Sequence, residues 1–283
     1  MIQKIDIDNG FSFYNIDEKF KQKCYECAEE INKKSHYLDS FNKVYKLLNN
    51  KYFDEVKNVW NIKDIEELFC KDINPYVTNL MIVVNYKNHK DNIEKYVLPE
   101  EQINIHKFRV KECFENDLVN RHYDGIRISQ MLWAIYFIRI KLIETGRLQY
   151  EYLNTINGIA QIKIHIPAGN KVDTKLVIES IKKSKQLLSI IFNIKNMEYL
   201  CDSWLLSNQL NEIINCDSNI HKFYELFDVI DGDNCINDIL NFVYLLRECK
   251  DYNILQENTN LQKLIKHNLL NNKIFKLGIG KLK

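Results

Sequence analysis

Residues 147–167 constrain the fold of this chain more than any other stretch. In RLQYEYL, Arg147, Gln149 and Glu151 alternate with Leu148, Tyr150 and Tyr152, the two-residue period of a half-buried strand. In IAQIKIHIP, Ile162, Ile164 and Ile166 alternate with Gln161, Lys163 and His165. Between them lies Asn157-Gly158, a dipeptide that readily adopts the positive φ angles of a tight hairpin turn. The two strands therefore pair antiparallel with like faces aligned. One face is apolar; the other carries Arg147, Gln149, Glu151, Gln161, Lys163 and His165. Pro167 ends the second strand, since it has no N–H to give a ladder.

Beyond the hairpin, AGNKVDTK leads into VIESIKKSKQLLSIIF, an amphipathic helix with Asp173 or Thr174 as N-cap. MEYLCDSWLL reads as a buried strand, SNQLNEII as a short helix, and SNIHKFYELFDVI as holding a further strand, with Ser218-Asn219 capping or turning into it. INDILNFVYLLREC and NLQKLIKHNLL read as helices, with GIGKLK as a tail. Ahead of the hairpin the period is helical. EKFKQKCYECAEEINKK is one such segment. DSFNKVYKLLNN has Asp39 or Ser40 as N-cap before a stripe of Phe41, Val44, Leu47 and Leu48. KDIEELFC is a short helix before Pro75, which opens one long helix, PYVTNLMIVVNYKNHKDNIEKY. Pro99 opens another with two glutamates in its first turn, where the helix dipole favours them. Only IQKIDI looks like a strand in this half. The texture changes near Gly125, and MLWAIYFIRIKLI is either the end of a buried helix or a helix passing into a strand. The reading is an α+β chain, with a helical domain over residues 1–125 and a mixed-sheet domain over residues 126–283.

Composition narrows the function. The 283 residues carry 39 Lys and Arg against 38 Asp and Glu, a formal charge of +1. That balance argues against a protein whose affinity comes from neutralising many phosphates of a nucleic acid. No run approaches the ~18 apolar residues of a membrane span, and the N-terminal stretch has no signal-peptide core. Eight cysteines without a secretory signal point to reduced thiols in the cytoplasm. Cys24 and Cys27 have CxxC spacing, but no second pair follows at zinc-site distance and both lie in a helical pattern. They are read as structural, and no metal is expected.

The order strand, strand, loop, helix, strand, helix, strand in the second half resembles a GNAT acyltransferase. The strings GRLQYEY, IHIPAG, CDSWLL and SNIHKFYELF stand in the order and approximate spacing of a bacterial acyltransferase family with a helical N-terminal domain and a GNAT-like C-terminal domain. The resemblance covers residues 126 onward, somewhat over half of the chain. It implies transfer of an acyl group from acyl-CoA (acetyl-CoA or longer) to a primary amine on a small molecule or peptide, by direct attack without a covalent enzyme intermediate. The helical domain would then cover the acceptor side or mediate self-association as a homodimer.

The resemblance also implies where the chemistry sits. Such a fold holds acyl-CoA where two parallel strands splay, here IAQIKIHIP and the strand containing residues 199–204. Ile166 would meet the pantetheine arm. The loop of Ala168, Gly169, Asn170 and Lys171, with Thr174 at the helix start, would offer N–H groups to the pyrophosphate. Two departures stand out: the loop keeps a single glycine, and Asp173 puts a carboxylate where a phosphate would sit, offset by Lys171 and Lys175. His165 is the first candidate base, on the polar face near the splay. Glu151 is the second, with pairing to Lys163 as its plainer role. Cys201 and Ser203 share a face and could return a proton to the leaving thiolate; Trp204 is read as a core anchor and His221 as a third base. Two rival readings remain open. One is an inactive GNAT-like binding or interaction module that has lost its phosphate loop. The other is a thiol enzyme acting through Cys201.

Overall fold

The computed structural model describes residues 1–49, 74–115, 124–167, 169 and 172–283. The chain divides into two compact units, Met1–Ile143 and Glu144–Lys283.

In the first unit, described helices are α1 (Lys4–Tyr14), α2 (Lys21–Lys33), α3 (Ser35–Leu48), α4 (Val77–Val84), α5 (Tyr86–Lys95), α6 (Glu100–Glu115) and α7 (Ile128–Ile138). From Lys4 on, the IQKIDI segment is helical, not extended. Ile7, Gly10, Phe11 and Tyr14 are buried at three- and four-residue steps, a longer and stronger pattern than the brief alternation. Gly10 is required there, because a Cβ would lie 2.4 Å from the Val83 carbonyl oxygen of α4. Helix α3 starts earlier than Asp39 or Ser40, since Tyr37 extends the buried stripe of Phe41, Val44 and Leu48 by one turn. Pro75 lies ahead of α4, and the single helix expected from it is two. Buried Asn85 stands at the break, its amide donating to the Met81 carbonyl at 2.7 Å and its side-chain oxygen accepting from Asn49 and Asn88. Such side-chain bonding competes with the helix backbone. Cys24 and Cys27 are buried in the core. The KDIEELFC helix expected before Pro75 lies outside the described residues.

The MLWAIYFIRIKLI run is a helix passing into a strand: α7 turns at Ile140, whose φ is +56°, into β1 (Leu142–Thr145). Helix α7 packs into the core of the first unit, so the division between units falls at residue 143 although the texture changes near 125. No helix of the described residues is long and apolar enough to cross a membrane.

The second unit is built on β2 (Leu148–Ile156), β3 (Ile159–His165), α8 (Thr174–Phe192), β4 (Met197–Ser203), α9 (Asn208–Asn211), α10 (Asn219–Tyr224), β5 (Phe227–Asn234), α11 (Ile236–Val243), α12 (Asn260–Leu270) and β6 (Lys276–Leu282). The sheet order is β1-β2-β3-β4-β6-β5. Strands β2 and β3 form the expected antiparallel hairpin, with φ of +50° at Asn157 and +77° at Gly158. Helix α8 crosses over to bring β4 parallel to β3. In SNIHKFYELFDVI a short helix, capped by Ser218, precedes the strand. GIGKLK is not a tail: it belongs to β6, antiparallel to both β4 and β5. Two glycines weaken its strand signal, yet a Cβ at Gly278 would lie 2.0 Å from the Leu206 carbonyl oxygen, and one at Gly280 would lie 2.7 Å from the Leu206 side chain. At Gly278 the backbone of a neighbour occupies the space a side chain would need.

Candidate functional site

Strands β3 and β4 pair from Ala160↔Met197 to Lys163↔Leu200 and no further, although β3 runs to His165 and β4 to Ser203. Past that rung each strand keeps only its outer neighbour. Ile164 and His165 stay paired to Tyr150 and Gln149 of β2, while Cys201, Asp202 and Ser203 stay paired to Gly280, Ile279 and Gly278 of β6. Two parallel strands thus part, each held from outside, and expose ladder groups to the gap.

Side-chain alternation sorts this region into two faces. Ala160, Ile162, Ile164, Tyr150, Tyr199 and Cys201 share the face that carries α8, where the Tyr150 hydroxyl meets Ser180 at 2.7 Å and the Tyr199 hydroxyl meets Ser184 at 3.0 Å. Ser180 also donates to the Thr145 carbonyl. These polar anchors were not read from the sequence, though Ser180 and Ser184 stand one helical turn apart on the buried stripe of α8. Gln149, Glu151, Gln161, Lys163, His165, Glu198 and Asp202 share the opposite face, as the hairpin pattern requires.

On that face His165 Nε2 lies 2.7 Å from Glu151 Oε2, and Glu151 is 7% exposed. An ionised carboxylate only accepts, so Nε2 is the protonated nitrogen and Nδ1 the basic one in the neutral ring. The two candidate bases are therefore one hydrogen-bonded pair. Glu151 does stand opposite Lys163 in the strand register, but Lys163 Nζ reaches the other way, 2.7 Å from Asp202 on β4. Gln161 donates to Glu198 at 3.1 Å, and Glu198 is also paired with Lys281. Asp202 was not singled out in the sequence, because nothing short of the β3–β4 register places it beside Lys163.

Cys201 is fully buried, and burial pushes its thiol up to about 12, with Asp202 adding to the rise and Lys163 opposing it. A thiol so held is a poor nucleophile near neutrality. Ser203 Oγ accepts the Leu205 N–H at 3.1 Å and caps the short turn Trp204–Leu206. Trp204 packs against the apolar cluster of α11 and α12. His221 Nδ1 lies 2.7 Å from Asn211 Oδ1. Of the expected donor-binding segment, Ile166 follows β3 directly, Gly169 has φ of +120°, and Thr174 opens α8 with its hydroxyl buried and without a hydrogen-bond partner among the described residues. Asp173 caps α8 by accepting from the N–H groups of Lys175 and Leu176 at 2.9 and 3.2 Å. Ala168, Asn170 and Lys171 lie outside the described residues. No cluster of three or more His, Cys, Asp or Glu able to hold a metal occurs among the described residues.

Residues 142–282 match the family model of the GNAT-like C-terminal domain. This half of the chain is a GNAT-like C-terminal domain. The full chain resembles solved acyltransferases in fold. One, a tryptophan-to-alanine mutant in complex with octanoyl-CoA, aligns over 96% of this chain and 86% of its own, with a TM-score of 0.75 and 16% identity. Another, in complex with decanoyl-CoA, aligns over 74% of this chain at a TM-score of 0.65 and 19% identity; the match spans 66% of that protein, just under two thirds of its length. A third, in complex with decanoyl-CoA and teicoplanin, aligns over 74% of this chain and 67% of its own, at 0.65 and 20%. The sequence matches no curated protein. The parted strands belong to the GNAT-like domain, as do both members of the His165–Glu151 pair.

Proposed function

We propose that this chain transfers an acyl group from a CoA thioester to a primary amine on a small molecule, with His165 as the base and Glu151 as the group that orients it. The observation that carries the reading is the end of the β3–β4 ladder at Lys163↔Leu200, with the His165–Glu151 pair on the rim of the opening. A thioester lying in the gap would bond to ladder groups freed by the parting. The amine nitrogen attacks the thioester carbon, His165 Nδ1 takes the proton, and Glu151 stabilises the imidazolium that forms. Thr174, whose hydroxyl at the start of α8 has no partner among the described residues, is assigned to the donor's phosphates. Donors longer than acetyl are favoured because related folds hold octanoyl and decanoyl chains. Teicoplanin in one related structure supports a small-molecule acceptor.

A non-catalytic module is the second reading, favoured by one observation. The Asp173 carboxylate already occupies two N–H groups that a pyrophosphate would use. Titration of decanoyl-CoA while following thermal unfolding separates the two, since a ligand bound only by the folded chain raises the Tm by mass action. A rise that saturates, with thiol release when a model primary amine is added, supports the transferase. An unmoved Tm with octanoyl-CoA, decanoyl-CoA and acetyl-CoA would leave the module.

A further inference from the structure

Lys163 is the last residue of β3 to pair with β4, and its side chain lies on the same face as His165, two residues on. Its ammonium does not run back along the closed ladder. It crosses to Asp202, two residues past the last rung on the other strand, at 2.7 Å, with both side chains about a third exposed at 31% and 33%. A primary ammonium therefore spans the mouth of the opening. Lys281 on the same face is different: it pairs with Glu198, whose own register partner is Gln161 in the closed part of the ladder.

Resting on the donor reading above, we infer that Lys163 is an internal acceptor, and that the chain acylates its own ε-amine when acyl-CoA is bound and no other amine is present. The nucleophile is tethered, so without a bound acceptor it meets the thioester at a raised effective concentration. The ammonium first gives a proton to His165. The amine nitrogen then attacks the thioester carbon, the C–N bond of an amide forms, and the C–S bond breaks. The nitrogen's second proton is lost as the departing thiolate takes one, so the balance is one CoA thiol, one amide and one proton released to solvent. The amide carries no charge for Asp202 to pair with, and the acyl arm lies across the mouth. A modified chain is thus expected to be slower toward any added amine.

The test uses the full chain with decanoyl-CoA and no added acceptor. Intact mass and peptide mapping read the adduct, release of free CoA thiol reads the chemistry, and the Tm with CoA and decanoyl-CoA reads donor binding separately. One decanoyl group per chain, mapped to Lys163 and lost in Lys163→Arg while the Tm rise persists, is the expected result. Acylation scattered over surface lysines and unchanged in Lys163→Arg overturns the inference. So does a clear Tm rise with no adduct, which leaves the donor reading intact. Absence of any Tm rise overturns both.

Discussion

The two units hold histidine in opposite ways. In the helical unit His89 and His106 are both fully buried, stacked at 5.9 Å, with Tyr14 and the Phe137 carbonyl as partners of their Nδ1 atoms. Among the described residues no carboxylate is bonded to either. Burial drives His89 well below the usual imidazole range and His106 down to about 4. In the GNAT-like unit His165 is paired to a carboxylate and half-buried. An imidazole without an anion beside it is a packing group that resists protonation. His165 has such an anion 2.7 Å from its Nε2. The contrast teaches that burial alone does not separate the histidines of this chain; their partners do.

The strongest way to break this contrast is to remove the braced histidine. His165→Ala is expected to lower acyl transfer by roughly 10²–10⁴-fold, with Glu151→Gln part of the way there, while donor affinity from Tm titration stays near wild type. A loss of donor binding equal to the loss of rate would make His165 a structural residue.

Next comes acid stability. His106 has a folded pKa below its unfolded value, so between about 6.5 and 4 the unfolded chain binds more protons and stability falls as pH falls. The loss is on the order of 3 kcal/mol for His106 by pH 4, with His89 acting in the same direction. Urea unfolding at pH 7 and pH 4.5 reads it. The double variant His89→Phe, His106→Leu should flatten the difference, and an equally steep profile in that variant would rule the pair out as its source.

A smaller effect is expected under the sheet, where buried hydroxyls are mutually satisfied. Tyr150→Phe removes a bond to Ser180 but leaves Ser180 bonded to Thr145, so the cost should be about 1 kcal/mol in chemical unfolding. A cost several times larger would mean the network acts as a unit.

Smallest is Asp173→Asn, which keeps a cap oxygen while removing the charge at the start of α8. Donor affinity should improve by a few-fold, matching the ~0.3–1 kcal/mol of a charge at a helix end. Unchanged or weaker affinity would place the phosphates away from Asp173.

Much of the sheet was legible because its signals are local. The β2–β3 hairpin announces itself through strict alternation and Asn157-Gly158, and the polar face of the hairpin follows from period two alone. What stayed hidden depends on contacts distant in sequence. Strand β6 looks like a tail because Gly278 and Gly280 answer to Leu206 and Phe227, not to their own neighbours. The split of α4 from α5 turns on a buried asparagine whose partners are Asn49, Met81 and Asn88. The geometry of the candidate site was half legible. His165 and Glu151 stood out by residue type and face, but their contact needs the hairpin register, and Asp202 needs that of β3 with β4.

The insertion of β6 between β4 and β5 also fixes an order of assembly. A ribosome delivers residues 276–282 after every other strand of the sheet, and until they emerge β4 has no outer neighbour to hold Cys201, Asp202 and Ser203 away from β3. The opening that the proposed chemistry needs is therefore bordered on one side by a strand held in place by a segment made after it.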